Sequence, residues 1–179
     1  MLLYWLTILM ATIVPSETRI LFDLSDPRES ATWQTVDDVV MGGISDSDWA
    51  WSEDGISIFS GKVSLENNGG FCSVRSVFFE SNLVEYVGIE FVVKGDGKTY
   101  TFYVRDDFGN VLHSRAVKTT GDWQIIRLPF ALLQARRFGI YLPNAPRLDT
   151  TLIRMVGIII TDKQVGDFRL EVEQVGVYR

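Results

Sequence analysis

Residues 89–105 read IEFVVKGDGKTYTFYVR. Ile89, Phe91 and Val93 alternate with Glu90, Val92 and Lys94. Tyr100, Phe102 and Val104 alternate in the same way with Thr101, Tyr103 and Arg105. A period of two sends one set of side chains to a core and the other outward, which is the pattern of a β-strand. Gly95-Asp96-Gly97 separates the runs. Glycine supplies the positive φ of a tight reversal, so the stretch predicts two strands joined as a hairpin.

The same period extends along the chain. Phe168, Leu170 and Val172 alternate with Arg169, Glu171 and Glu173, while Val175 and Val177 are out of phase. A bulge near Gln174 would return them to the core. Ile158-Ile159-Ile160 is a continuous apolar run and predicts a strand covered on both faces. Gly42-Gly43, Asn67-Asn68-Gly69-Gly70, Gly109-Asn110 and Thr120-Gly121-Asp122 punctuate the runs, and Gly109-Asn110 predicts a second hairpin. No long segment has helical periodicity; Phe130 to Arg137 predicts a turn or two of helix at most. About ten short strands with almost no helix indicate an all-β jelly-roll sandwich, one domain over residues 19–179.

Composition narrows the function. The chain has 179 residues, 17 Lys plus Arg and 23 Asp plus Glu, for a net charge of -6. Nucleic acid is not an expected partner, because the phosphate backbone needs clustered positive charge. One cysteine, Cys72, excludes an internal disulfide and a thiolate zinc site, and one histidine, His113, argues against a Ser-His-Asp triad. Adjacent acids such as Asp106-Asp107 point apart on a strand, so no acid–base pair is supported. The expectation is a non-catalytic binding module without cofactor or metal.

Residues 1–16 carry no charged side chain. The run is shorter than the roughly 20 residues that span a bilayer and has the length of a signal-peptide core. It lacks a preceding Lys or Arg and a clean small-x-small cleavage site. Export or anchoring through this leader is expected over a cytoplasmic location, with an N-terminal extension as the alternative.

Four clusters occur in order: Asp37 to Ser45, Phe59 to Arg75, Gly95 to Tyr100, and Asp162 to Phe168, with Trp123 and Leu128-Pro129-Phe130 between the last two. Together they resemble the complex I intermediate-associated protein 30 family, over nearly the whole chain from Phe22 to Tyr178. The resemblance implies a jelly-roll sandwich similar to galactose-binding-like and carbohydrate-binding modules. It implies a chaperone-like assembly factor, with a membrane-complex subunit or assembly intermediate as partner, and it supplies no catalytic residues. The leader is apolar where a mitochondrial transit peptide is Arg-rich and amphipathic, which points to a bacterial-type member.

The candidate partner or ligand surface follows from these clusters. Gly42, Gly43, Gly69 and Gly70 let another backbone or a ligand approach closely, or serve as turn residues, and Met41 beside them belongs to the same candidate surface. Asn67, Asn68, Ser73 and Arg75 form a polar set able to meet sugar hydroxyls or carboxylates; the alternative is that Arg75 pairs with Asp37 or Asp162 and pins loops. Asp162, Lys163 and Gln164 are part of a partner surface or a satisfied turn. Trp49 and Trp51 share one strand face and offer a stacking platform for carbohydrate or cover for the sandwich edge; Tyr141 is a second aromatic candidate. Asp37, Asp38, Asp46 and Asp48 could offer oxygens to calcium without forming an EF-hand. Trp33 and Trp123 are expected in the core, His113 on a strand surface, and Cys72 as a small buried hydrophobe.

Overall fold

The computed structural model of the chain describes residues 17–107 and 110–179. The apolar leader and the Phe108–Gly109 part of the second predicted hairpin lie outside these. Among the described residues, thirteen strands form two antiparallel sheets. One sheet runs β3 (Asp46–Trp51), β4 (Ser57–Val63), β13 (Gly166–Tyr178), β6 (Gly88–Lys94), β9 (Trp123–Pro129), with β1 (Thr18–Asp23) pairing the second half of β13. The other runs β11 (Ile140–Tyr141), β10 (Gln134–Arg137), β8 (Leu112–Lys118), β7 (Thr99–Asp106), β12 (Ile153–Ile160), β5 (Cys72–Ser76), β2 (Trp33–Asp37). The architecture is the expected jelly-roll sandwich.

The inward residues are those of the period-two pattern. Phe91 of β6 meets Phe102 of β7 across the sheets at 4.8 Å between ring centres, and Phe168 of β13 touches both Phe59 and Tyr100. Tilted and edge-on rings fill the layer between sheets while keeping their electron-rich faces apart. The register between β13 and β6 shifts between Val172 and Gln174, which is the bulge that the phase change required.

Several expectations need correcting. β6 and β7 belong to different sheets, so Gly95-Asp96-Gly97 is a crossover and not a hairpin. Asp96 fixes it: one carboxylate oxygen accepts from the Tyr100 hydroxyl at 3.1 Å, the other from the Arg169 backbone N–H at 3.0 Å. One side chain thereby stitches both layers. Phe130 to Arg137 forms a single 3-10 turn (Phe130–Leu132) and then β10, because Ala135 is needed inward at the sheet edge. β12, by contrast, is covered on both faces as expected: Met155 and Gly157 are buried on the outer side, and only Ile159 there is half-buried. Trp123 is 43 % exposed, because Ile126 and Leu128 take the inward phase of β9. His113 is buried 3.9 Å from Asp106, since it shares the inward phase of Val104. Cys72 is buried as expected, and burial pushes its thiol up to about 12.

Removing the ring of Phe91 empties the layer where the sheets meet. Phe91→Ala should cost about 3–5 kcal/mol in urea unfolding. A loss below about 1 kcal/mol would mean that this contact does not hold the sheets together.

Candidate functional site

The glycine-rich loops converge on one carboxylate. Asp38 opens a 3-10 turn (Asp38–Met41) at the end of β2 and is fully buried. Oδ1 accepts the Ser45 N–H at 2.9 Å, and Oδ2 accepts the Gly70 N–H at 2.6 Å, the Phe71 N–H at 3.2 Å and the Ser45 hydroxyl. The Ser45 hydroxyl in turn accepts the Ser64 N–H at 2.9 Å. Burial alone would raise the Asp38 carboxyl, but these donors outweigh it and hold the group below its ordinary value of 3.8. Gly43 and Gly69 are glycine for the same reason: a Cβ there would lie 2.2 Å and 2.6 Å from the Asp38 carboxylate oxygens. The loops therefore close around Asp38 rather than leave its oxygens for a calcium ion.

The clamp displays an aliphatic tip. Val39, Val40 and Met41 are 62 %, 72 % and 64 % exposed, and Ile44 and Leu65 are exposed on the same loop cluster. Gly42 sits between them at φ 93, and Asn67 and Asn68 adopt φ 55 and 60 in the facing loop. Asp37 takes a different role, accepting the Ser47 hydroxyl at 2.6 Å to tie β2 to β3. Sequence reasoning picked Met41 and the glycines but missed Val39 and Val40, whose signal was three consecutive apolar residues inside a turn.

The remaining candidates separate. Ser73 spends its hydroxyl on the Val36 carbonyl. Arg75 pairs with neither Asp37 nor Asp162; it lies on the outer face of the seven-stranded sheet beside Tyr103. Gln164 is a clamp, donating to the Thr99 and Thr161 carbonyls and accepting the Thr99 N–H, while Asp162 and Lys163 turn beside it at φ 60. Trp49 stacks on Trp33 with ring centres 5.5 Å apart and donates to the Ser30 carbonyl at 2.9 Å. Trp51 donates to the Ser25 carbonyl at 3.0 Å. Both indoles hold the segment around the one-turn helix α1 (Pro27–Ser30) at the sandwich edge; Trp49 is closed by Trp33, while Trp51 stays exposed, so the pair does not form one platform. Tyr141 is exposed on β11.

Residues 22–172 match the sequence profile of the Complex I intermediate-associated protein 30 family. The probable complex I intermediate-associated protein 30, mitochondrial, of Caenorhabditis elegans is 26 % identical, over 74 % of this chain and 48 % of that protein. The chain thus spans about half the length of the relatives it matches. Among solved structures, the family 11 carbohydrate-binding module of a cellulosomal cellulase of Clostridium thermocellum superposes with a TM-score of 0.70 at 13 % identity, covering 91 % of this chain and 95 % of the module. The same family's module bound to a mixed-linked tetrasaccharide gives a TM-score of 0.67 at 14 % identity, covering 89 % and 94 %. At this identity the likeness is one of fold.

Asp38→Asn keeps the size but turns amide hydrogens toward N–H donors, and should cost about 2–3 kcal/mol. The pH dependence has a definite sign. A carboxyl depressed in the folded state stabilises fully above the unfolded value near 3.8, and that contribution is lost as pH falls through the lower folded value. Urea titrations between neutral pH and strong acid should show this loss in the native protein and not in Asp38→Asn. Parallel pH curves for the two would remove Asp38 as the clamp.

Proposed function

The chain belongs to the Complex I intermediate-associated protein 30 family, and from that membership we propose that it is a non-catalytic binding domain that holds a protein intermediate during assembly of a membrane complex. The observation that carries the reading is the exposed Val39-Val40-Met41 tip on loops clamped by Asp38. Apolar side chains held out on a rigid scaffold mark a protein contact, because burying them against a partner releases water with little further loss of conformational freedom. The names of the Caenorhabditis relatives support the assembly role. The leader keeps export or anchoring within the proposal.

The second reading is a carbohydrate-binding module. A groove of about 570 Å³ on the outer face of the seven-stranded sheet favours it, with Thr101, Ser114 and Gln134 among its polar lining. Against it stands the stacking of Trp49 on Trp33, which takes one of the two candidate indoles out of reach of a sugar.

Crosslinking of a tagged copy in its native host, read by mass spectrometry, tests the first reading. Subunits of respiratory complex I or another membrane complex should be enriched. Val40→Ser with Met41→Ser should weaken that capture while shifting stability by less than about 0.5 kcal/mol. Capture that is absent, or indifferent to the double variant, would overturn the role given to the tip. A glycan array with hits would then move the assignment to the second reading.

A further inference from the structure

The outer faces of the two sheets differ in charge. On the six-stranded sheet, cations meet acids: Arg127 with Glu90 at 2.9 Å, Lys94 with Glu171 at 3.6 Å, and Arg169 with Glu171 at 3.2 Å. On the seven-stranded sheet the outward positions, assigned by strand alternation, hold Arg75, Arg105, Lys118 and Arg136 and no Asp or Glu. This is unexpected in a chain of net charge -6. Arg136 turns to neutral partners, the Gly139 carbonyl and the Gln134 amide oxygen.

Arg75 and Arg105 flank Tyr103. The register places Gly157 between Arg75 of β5 and Tyr103 of β7, and a Cβ on Gly157 would lie 2.3 Å from the Tyr103 ring tip. Tyr103 is only 4 % exposed although it faces away from the core. Burial pushes its hydroxyl up to about 12 even though both arginines act to lower it. The Nε of each arginine is buried and has no hydrogen-bond partner among the described residues. Arg105 also lies over the Phe78 ring, 5.3 Å from its centre. Two guanidinium groups are therefore held with a desolvated donor left over. The Nε atoms are closed to solvent, which fixes the stems, and the paired N–H groups of the terminal nitrogens are what a planar carboxylate can meet.

We propose that this face binds the carboxylates of an extended acidic segment of a partner protein, with Arg75 and Arg105 as the donors. The proposal rests on the protein-binding reading and names the chemistry of a second contact. β5 and β7 are separated by one strand and Arg105 is offset from Arg75 by two residues, so the two arginines stand roughly 10 Å apart across the sheet and about 7 Å along it. An extended segment presents the same side every second residue, about 7 Å along its length, and long side chains close the difference. A groove on the same face supplies a trough, with Ile159, Leu112 and Leu132 as apolar lining and Arg115, Arg136 and Asp162 as its charged lining. The aliphatic tip rises from β2, which pairs with the Arg75 strand, so one partner chain can engage both. Tyr103 between the two arginines is covered and offers no ring face to a sugar.

The test uses a short peptide alternating Glu and Ser, its Gln-Ser counterpart, and oligogalacturonate, titrated calorimetrically into the full chain. The Glu peptide should bind and the Gln peptide should not. Arg75→Lys with Arg105→Lys preserves the charge but not the fork, and should weaken binding at least about tenfold with thermal stability retained. Binding unchanged in that variant would reduce the effect to nonspecific charge attraction and overturn the site, as would no binding to the native chain. Oligogalacturonate binding through the arginines without Glu-peptide binding would overturn the protein partner in favour of an acidic glycan. Failure of the peptide with subunit capture intact sinks this site alone. Arginine-dependent peptide binding without subunit capture supports the site and sinks the assembly role.

Discussion

Asp38 holds a carboxylate that folding has removed from water and surrounded with three N–H groups and a hydroxyl. Desolvating an ionised carboxylate is costly, and only a complete set of donors offsets it. Those donors come from Ser45, Gly70 and Phe71, on either side of the β3–β4 pair. The charge therefore dictates the path of two loops that carry no regular structure of their own. It also dictates composition, since Gly43 and Gly69 approach the oxygens too closely for any side chain. What the loops then display, Val39 to Met41, is a consequence of the clamp: the backbone is spoken for and the apolar side chains have nowhere inward to go.

The two sheets divide the remaining tasks. Their inner faces interlock through Phe91 with Phe102 and Phe168 with Tyr100, and Asp96 ties the crossover between them to both layers. The outer face of one sheet is closed electrostatically by its own ion pairs. The outer face of the other carries arginines whose nearest company is a phenol, a phenyl ring and neutral amides. Exposed ion pairs contribute little to stability, so the asymmetry matters less to folding than to what each face can receive.

Most of the fold was legible because burial imposes a period of two on every strand, and even the β13 bulge shows as a slip of phase at Gln174. The connections were less legible. A Gly-Asp-Gly between two alternating runs meets the backbone needs of a hairpin and of a crossover equally; the difference lies in Arg169 and Tyr100, distant in sequence or masked by the core pattern. Trp123 and His113 were misassigned by residue type, where the phase of Ile126 and Val104 would have placed them correctly. At the site, the glycines and Met41 were visible, but the reason for the glycines was not, because Asp38 reads like any turn acid until its donors are assembled. Arg75 was singled out and given the wrong company. Its true neighbours, Tyr103 and Arg105, were already in the outward phase of β7, but side-by-side placement through Gly157 is a matter of strand order, which alternation does not encode.

Sharing a sandwich with carbohydrate-binding modules and a sequence family with complex I intermediate-associated proteins is no contradiction. A jelly roll presents a rigid sheet face and a rigid set of end loops, and neither specifies a ligand. Ligand chemistry enters through the few side chains placed on those surfaces. Here Trp49 is stacked on Trp33 and Tyr103 lies over Gly157, so neither presents a ring to a sugar. At the two arginines and at the loop tip the outward side chains are cationic and aliphatic. A polypeptide with apolar and acidic side chains in alternation meets both groups at once. That pairing of surfaces on adjacent strands argues for a protein ligand more strongly than either surface does alone.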